Sequence, residues 1–192
     1  GKGKASNIFE IPMPDEFRGK YRGKGAGKKY FIEFEKIISK AKKANKKISA
    51  MIVEPIISCG GQIELPEKFL KKCKKILERE NILLIVDEVQ TGFGRVGEKF
   101  WGFQLHDVIP DIVTLGKPMG NGHPIGAVVC TAEISKKFDN GLEFFSSFGG
   151  NPVSCRIANE VIREIDSRNL QKNALKTGKY LISELKKLSK KY

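Results

Sequence analysis

Two short apolar runs, each closed by polar residues, constrain this chain more than anything else in it. Ile82–Val86 runs into Asp87 and Glu88, and Asp111–Leu115 runs into Gly116 and Lys117. Runs of this kind suit the strands of a parallel sheet, which are covered on both faces. In an open sheet of that type, ligands sit beyond the carboxyl ends of the strands. An acid at one strand end and a lysine just past another can therefore face one pocket. Asp87 and Lys117 form the first candidate constellation.

The neighbouring elements support a layered α/β reading. Ile48–Val53 is a further apolar run. Pro66 is expected to open a helix whose apolar face is Phe69, Leu70, Cys73, Ile76 and Leu77. Strand, helix and strand in that order make a βαβ unit. Tyr30–Lys43 has helical periodicity, with apolar residues at Tyr30, Phe31, Phe34, Ile37, Ile38 and Ala41. Ile125–Cys130 follows GKPMGNGHP with no helix between. That connection is too short for a parallel crossover, so this strand is expected to run antiparallel. Thr131 can cap a helix to about Phe138, and Phe144–Phe148 reads as a short extended piece. Two helices are expected to close the chain, from Pro152 to about Asp166 and from about Asn173 onward.

Composition narrows the class of function. The chain has 192 residues, 40% of them apolar, enough for one sizeable core. Its formal net charge is +13, from 35 basic and 22 acidic residues. The lysines fall on helix faces (Lys71, Lys72, Lys74, Lys75) and near the end (Lys186, Lys187, Lys190, Lys191), as on a solvated surface. No aromatic-basic platform accompanies them, so nucleic acid is not an expected partner; a small phosphate is the anion to expect. No apolar run approaches the ~18 residues of a membrane span. The four cysteines form no C-x-x-C pair and the two histidines lie apart from them, so no metal is expected. Without a secretory signal, reduced thiols in the cytoplasm are the default. The chain begins with Gly1 and stops inside a helical pattern, and is read as a piece of a longer one.

Lys117 sits between a glycine and a proline, an unusual place for a surface charge. A desolvated lysine loses its proton readily and attacks aldehydes. The plain alternative is a solvent-facing loop lysine. Asp87, at the end of an apolar strand, needs a cationic partner or good donors. A protonated pyridine nitrogen would serve, and pyridoxal phosphate uses a lysine together with an acid at that nitrogen. Glu88 should point the other way along the strand, toward a structural ion pair. Arg95 is a candidate for phosphate, or for a salt bridge holding its glycine-rich loop. His123 is read as shaping the loop after Lys117, Glu54 as orienting loop partners or Arg95, and His106 and Trp101 as structural.

VDEVQTGFGRVG (86–97), followed thirty positions after its Asp by the lysine of TLGKPMGNGHP (114–124), resembles the signature of the class III pyridoxal-phosphate aminotransferase family. MIVEPI (51–56) and SSFGGNPVSC (146–155) resemble flanking blocks of that family in the same order. The resemblance implies the fold type I large domain: α/β, a mostly parallel sheet with one antiparallel strand, helices on both faces. Residues 1–47 would be an irregular segment plus a helix leading into the sheet, 48–166 part of the cofactor-binding large domain, and 167–192 a helix leading toward a C-terminal domain. Lys117 would hold the cofactor as a Schiff base, Asp87 would pair with the pyridine nitrogen, Val89 would pack on the ring and Gln90 would sit near the ring hydroxyl. Ser147 stands where the family has a Thr that reaches the cofactor phosphate of the neighbouring subunit, so a homodimer with a shared site is implied. Gly149 and Gly150 would let backbone approach there, or simply form a turn.

Two departures narrow the resemblance. Where many members read VEPIQGEAG, this chain reads VEPIISCGGQ, with Cys59 in place of a Glu that gates a substrate-carboxylate arginine. Ordinary glutamate exchange is thereby in doubt, although Cys59 can also be a small buried filler. SCGGQI, FGRVGEKFWGFQ, GKPMGNGHP, FGGNPVSC and FRGKYR (17–22) are most similar to the ethanolamine-phosphate and phosphohydroxylysine phospho-lyase branch. The expected function is elimination of phosphate and ammonia from an amino alcohol phosphate, leaving an aldehyde. An aminotransferase using a pyruvate- or glyoxylate-type acceptor, or an inactive piece retaining only the fold, are the alternatives. The family's phosphate-binding Gly-Ser/Thr loop and its C-terminal arginine are not among these residues, so this chain alone is expected to bind the cofactor weakly and to turn over slowly or not at all.

Overall fold

A computed structural model of the chain describes residue 3 and residues 5–191; part of the leading GKGK stretch lies outside them. Residues 5–25 form an irregular lead-in that is tied down by buried polar groups. The Asp15 carboxylate accepts the backbone N–H groups of Phe17 and Arg18 at 2.8 and 2.9 Å. The buried Tyr30 hydroxyl donates to the Asp15 carbonyl at 3.1 Å and accepts the Tyr21 N–H at 3.0 Å. Helix α1 covers Ala26–Lys43. It starts a turn earlier than the apolar pattern predicts, because Ala26 already faces the core at 1% exposure and Glu16 Oε1 accepts the Gly27 N–H at 2.9 Å.

Strand β1 is Ala50–Val53. Strands β2 (Ile56–Ile57) and β3 (Ile63–Glu64) then form a small antiparallel hairpin around the Ser58–Gln62 loop. Helix α2 is Phe69–Arg79. It does not open on Pro66: Lys68 adopts φ 61°, outside the helix, and Phe69 N–H closes a turn on the Pro66 carbonyl at 2.9 Å. Strand β4 is Leu83–Asp87 and, after the 3-10 turn Gly102–His106, strand β5 is Ile112–Leu115. Strand β6 (Ala127–Cys130) and helix α3 (Ala132–Phe138) follow. Thr131 occupies the cap position of α3 but makes no capping bond through its side chain. Residues 143–146 take no regular structure and Phe144–Phe148 forms no strand. Helices α4 (Pro152–Ser167) and α5 (Leu170–Leu188) pack on each other.

The main sheet has the order β1-β4-β5-β6, with β1–β4 and β4–β5 parallel and β5–β6 antiparallel. The short route from β5 to β6 thus does what its length requires. One face of the sheet carries Met51, Leu84 and Val86, which pack with Tyr30 and Phe34 of α1 and with Leu70, Cys73 and Leu77 of α2. Each such side chain contributes roughly 1.5–3 kcal/mol by leaving water. On the other face Ile52 is 65% exposed. Asp111 locks the entry to β5: its Oδ2 accepts Leu84 N–H at 2.7 Å and the Lys74 ammonium at 2.8 Å.

Cys73 lies in this core, and burial pushes its thiol far above the ordinary value. Cys59 and Cys155 are exposed. A thiol reagent is expected to modify Cys59 and Cys155 in the native protein and to spare Cys73 until unfolding, with a rate gap of at least ~10³-fold. Mass mapping of the labelled peptides checks this, and equal labelling of Cys73 under native conditions would refute the packing.

Candidate active site

The carboxyl ends of β4 and β5 lie side by side because the strands pair in parallel with Asp87 opposite Thr114. Asp87 is half-buried. Its Oδ1 accepts the Val89 N–H at 2.9 Å, a local turn that fixes the carboxylate at the strand end. Its Oδ2 makes no hydrogen bond or ion pair among the described residues. Val89 is half-buried, and a Cβ built at Gly116 would touch both Val89 methyl groups at 3.4 Å. Val89 therefore packs on the backbone immediately before Lys117. Asp87, Val89 and Lys117 come together at neighbouring strand ends, as their positions in the sequence predict.

Lys117 opens a short 3-10 turn, Lys117–Met119, with φ 26°. A positive φ on a side chain other than glycine costs about 1–3 kcal/mol, and such strain collects at functional sites. The turn is held by Met119 N–H to the Gly116 carbonyl at 2.9 Å and His123 N–H to the Gly120 carbonyl at 3.0 Å. Gly120 must be glycine, since a Cβ there would collide with the His123 carbonyl oxygen. His123 Nε2 meets Ser154 Oγ at 2.8 Å, fastening the loop to the first turn of α4, as the loop-shaping reading requires. Lys117 itself is exposed rather than desolvated, and its amine makes no hydrogen bond or ion pair among the described residues.

Gln90 is exposed beside this group. Ser147 is exposed as well, in a connection where every residue from 139 to 150 is exposed. No hydrogen bond joins Ser147 to Asp87, Val89, Gln90 or Lys117 among the described residues. Arg95 is exposed without an ion pair among the described residues, so the predicted salt bridge across its loop is not made. It lines a cleft of about 620 Å³ with Pro118, Asn121, His123, Glu164 and Gln171, beside the Asp87–Lys117 group rather than around it.

Glu88 corrects the expectation of an ion pair. It is fully buried, and no cation reaches it among the described residues. Oε2 accepts the Thr91 hydroxyl at 2.7 Å and the Gly102 N–H at 2.9 Å, and Oε1 accepts the Phe103 N–H at 2.7 Å. Backbone donors on the 3-10 turn replace the cation, and sequence spacing alone does not reveal them. Glu54 orients its loop, with Oε2 accepting Ser58 Oγ at 2.6 Å and Ser58 N–H at 3.0 Å; it does not meet Arg95. His106 Nε2 meets the Pro55 carbonyl at 2.8 Å, and Trp101 packs edge-on against Phe93 and Phe100, both structural roles. Cys59 is exposed on the hairpin loop, not a buried filler. The residue that sequence reasoning passed over is Thr114, whose buried hydroxyl has no hydrogen-bond partner among the described residues. The only signal for it is a polar residue inside an apolar strand.

The family model for Aminotransferase class-III matches residues 2–192. The chain belongs to the class III aminotransferase family. It is 41% identical over its whole length to an alanine–glyoxylate aminotransferase 2-like protein of Drosophila melanogaster, of which it covers 40%. It is 37% identical to ethanolamine-phosphate phospho-lyase homolog 1 of Caenorhabditis elegans, over 96% of this chain and 42% of that protein. Among solved structures, a phospholyase from Arthrobacter in complex with phosphoethanolamine superposes with a TM-score of 0.81 at 37% identity, over 86% of this chain and 39% of that one. The chain thus spans about two fifths of the length of these relatives. The α/β architecture, with one antiparallel pair in its main sheet, is that of the family, whose cofactor is pyridoxal phosphate. No helix among the described residues is long and apolar enough to cross a membrane.

The residues present fit that cofactor at its ring end. Among the described residues, Asp87 offers a carboxylate oxygen without a partner, Val89 an apolar surface next to it, and Lys117 an amine without a partner.

Proposed function

We propose that this chain carries the cofactor-binding centre of a phospho-lyase acting on an amino alcohol phosphate such as ethanolamine phosphate. When bound, pyridoxal phosphate supplies an electron sink for charge that develops on the carbon beside the substrate nitrogen. Lys117 would hold the cofactor through its amine and would take the proton from that carbon. Asp87 would hold the pyridine nitrogen in its protonated form. Val89 would support the ring and Gln90 the ring hydroxyl. Ser147, on its exposed connection, would reach the cofactor phosphate of a second copy in a homodimer. Departure of phosphate from the next carbon, followed by addition of water and loss of ammonia, leaves the aldehyde. We read residues 48–166 as the cofactor-binding part, 1–47 as its lead-in, and 167–192 as the start of a further domain. The free state of all four cysteines supports a reducing compartment such as the cytoplasm.

The observation that carries the lyase reading is the hairpin loop at Cys59. In place of a carboxylate at position 59 the loop has the exposed thiol, and Glu54, just before the hairpin, is committed to Ser58. Arg18 brings a guanidinium to the loop, with Nη2 donating to the Gly61 carbonyl at 3.2 Å and Nε ion-paired with Asp15 at 3.5 Å. A cation suits a phosphate leaving group better than a carboxylate-exchange gate does. The 41% identity to an aminotransferase favours the second reading, transfer of an amino group to a pyruvate- or glyoxylate-type acceptor. The test is inorganic phosphate release from ethanolamine phosphate by the cofactor-loaded protein with no keto acid present. Phosphate and acetaldehyde in equal amounts are expected. A strict requirement for pyruvate or glyoxylate, with no phosphate released, would overturn the lyase reading in favour of the transferase.

A further inference from the structure

Thr114 and Asp87 are paired residues on adjacent parallel strands, so their side chains leave the same face of the sheet as neighbours. The pairing is clamped from below, because Glu88 N–H donates to the Thr114 carbonyl at 3.0 Å and the Glu88 carboxylate is itself held by three donors. Each of the two side chains has an unmet hydrogen-bonding need. The Thr114 hydroxyl oxygen is buried without a partner, and Asp87 Oδ2 has none among the described residues. A buried hydroxyl left unpaired is costly, and native proteins rarely retain one without a use. A threonine hydroxyl can donate, and an ionised carboxylate can only accept. Val89 N–H already holds Oδ1 from one side.

We propose that Thr114 is a positioning residue for Asp87: its hydroxyl, which meets no partner among the described residues, turns to donate to the carboxylate when the cofactor is bound and holds it toward the ring nitrogen. The proposal rests on the cofactor reading above. Thr114 does not touch the reacting atoms; it acts through Asp87. Its hydroxyl has no other partner among the described residues, so its contribution appears when the carboxylate must be held against a cation rather than against water.

The experiment compares Thr114→Val and Thr114→Ser with the unaltered protein, reading thermal unfolding of the cofactor-free form and titration with pyridoxal 5′-phosphate by visible absorbance. Valine keeps the shape of threonine and removes the hydroxyl. It is expected to leave the unfolding temperature of the cofactor-free protein unchanged or higher, since an unpaired buried hydroxyl is lost. It is expected to weaken cofactor affinity roughly tenfold, the size of one hydrogen bond to a charged group. Thr114→Ser keeps the donor and is expected to retain affinity within about twofold. Valine with unaltered affinity, or serine as weak as valine, would overturn the proposal, as would a valine variant that lowers stability alone. If Thr114→Val does not fold, the serine variant together with Thr114→Ala decides: loss of affinity in alanine but not in serine supports it, and parity overturns it. Failure of the unaltered full-length protein to bind the cofactor at millimolar concentration would bring down the underlying cofactor reading as well, and is distinguishable because it needs no variant.

Discussion

In the full-length protein, Lys117→Ala is expected to remove the visible absorbance of covalently held cofactor and to lower turnover by at least ~10³-fold. Lys117 carries its amine just past the end of β5, the strand whose Thr114 pairs with Asp87. The amine pairs with no carboxylate among the described residues and is carried on a backbone held at φ 26°. Because the side chain is exposed and unpaired, the same substitution should shift folding stability by less than ~1 kcal/mol. That separation of effects is the point of the experiment. A structural lysine would give the reverse, a loss of stability with the absorbance retained. A second arm adds a small primary amine to the Lys117→Ala protein. Partial return of turnover would identify the amine as a proton carrier, and its failure would confine Lys117 to cofactor attachment. A Lys117→Ala protein that keeps both the absorbance and the turnover would sink the cofactor reading outright.

The sheet was readable from the sequence wherever period and length leave one choice. LLIVD (83–87) has no other place to go than a covered strand, and the short route from Leu115 to Ala127 forces the antiparallel partner. Legibility fails where a partner distant in the chain decides. Ala26 reads as part of a glycine-lysine loop until Glu16 is seen capping its helix from ten residues upstream. The β2–β3 hairpin is invisible to any periodicity because each strand is two residues long. Pro66 carries a helix-start signal, yet Lys68 takes a left-handed conformation and delays the helix to Phe69. At the site, Asp87 and Lys117 stand out because each is polar at the end of an apolar run. Whether Lys117 is buried is not written in that run; it depends on what packs over the strand ends. Thr114 is silent for the same reason. Its significance comes from its register against Asp87, which only the pairing of β4 with β5 sets.

Glu88→Ala is expected to cost about 3–5 kcal/mol of folding stability, a large share of the 5–15 kcal/mol that a domain of this kind possesses. The carboxylate accepts from Thr91 Oγ1, Gly102 N–H and Phe103 N–H, at 2.7, 2.9 and 2.7 Å, at 0% exposure. Alanine would strand all three donors, each worth about 1–3 kcal/mol when left unpaired, and partial entry of water keeps the total below their sum. Glu88→Gln tests the origin of the loss. It preserves volume and one acceptor oxygen but turns an amide NH₂ toward at least one donor, so an intermediate loss of about 1–3 kcal/mol is expected. Urea unfolding of the three proteins measures it, and an alanine variant within ~1 kcal/mol of the parent would show that the three bonds are replaceable by water. The consequence for the site follows from the chain direction. Glu88 is the residue after Asp87, and its own N–H is bonded to the Thr114 carbonyl. Releasing its side chain frees the turn that aims Asp87 and lets the ends of β4 and β5 slide. Cofactor affinity should therefore fall in Glu88→Gln even at temperatures where the protein remains folded, with the loss of affinity tracking the loss of stability. Thr114→Val should break that correlation, weakening the cofactor while stability holds.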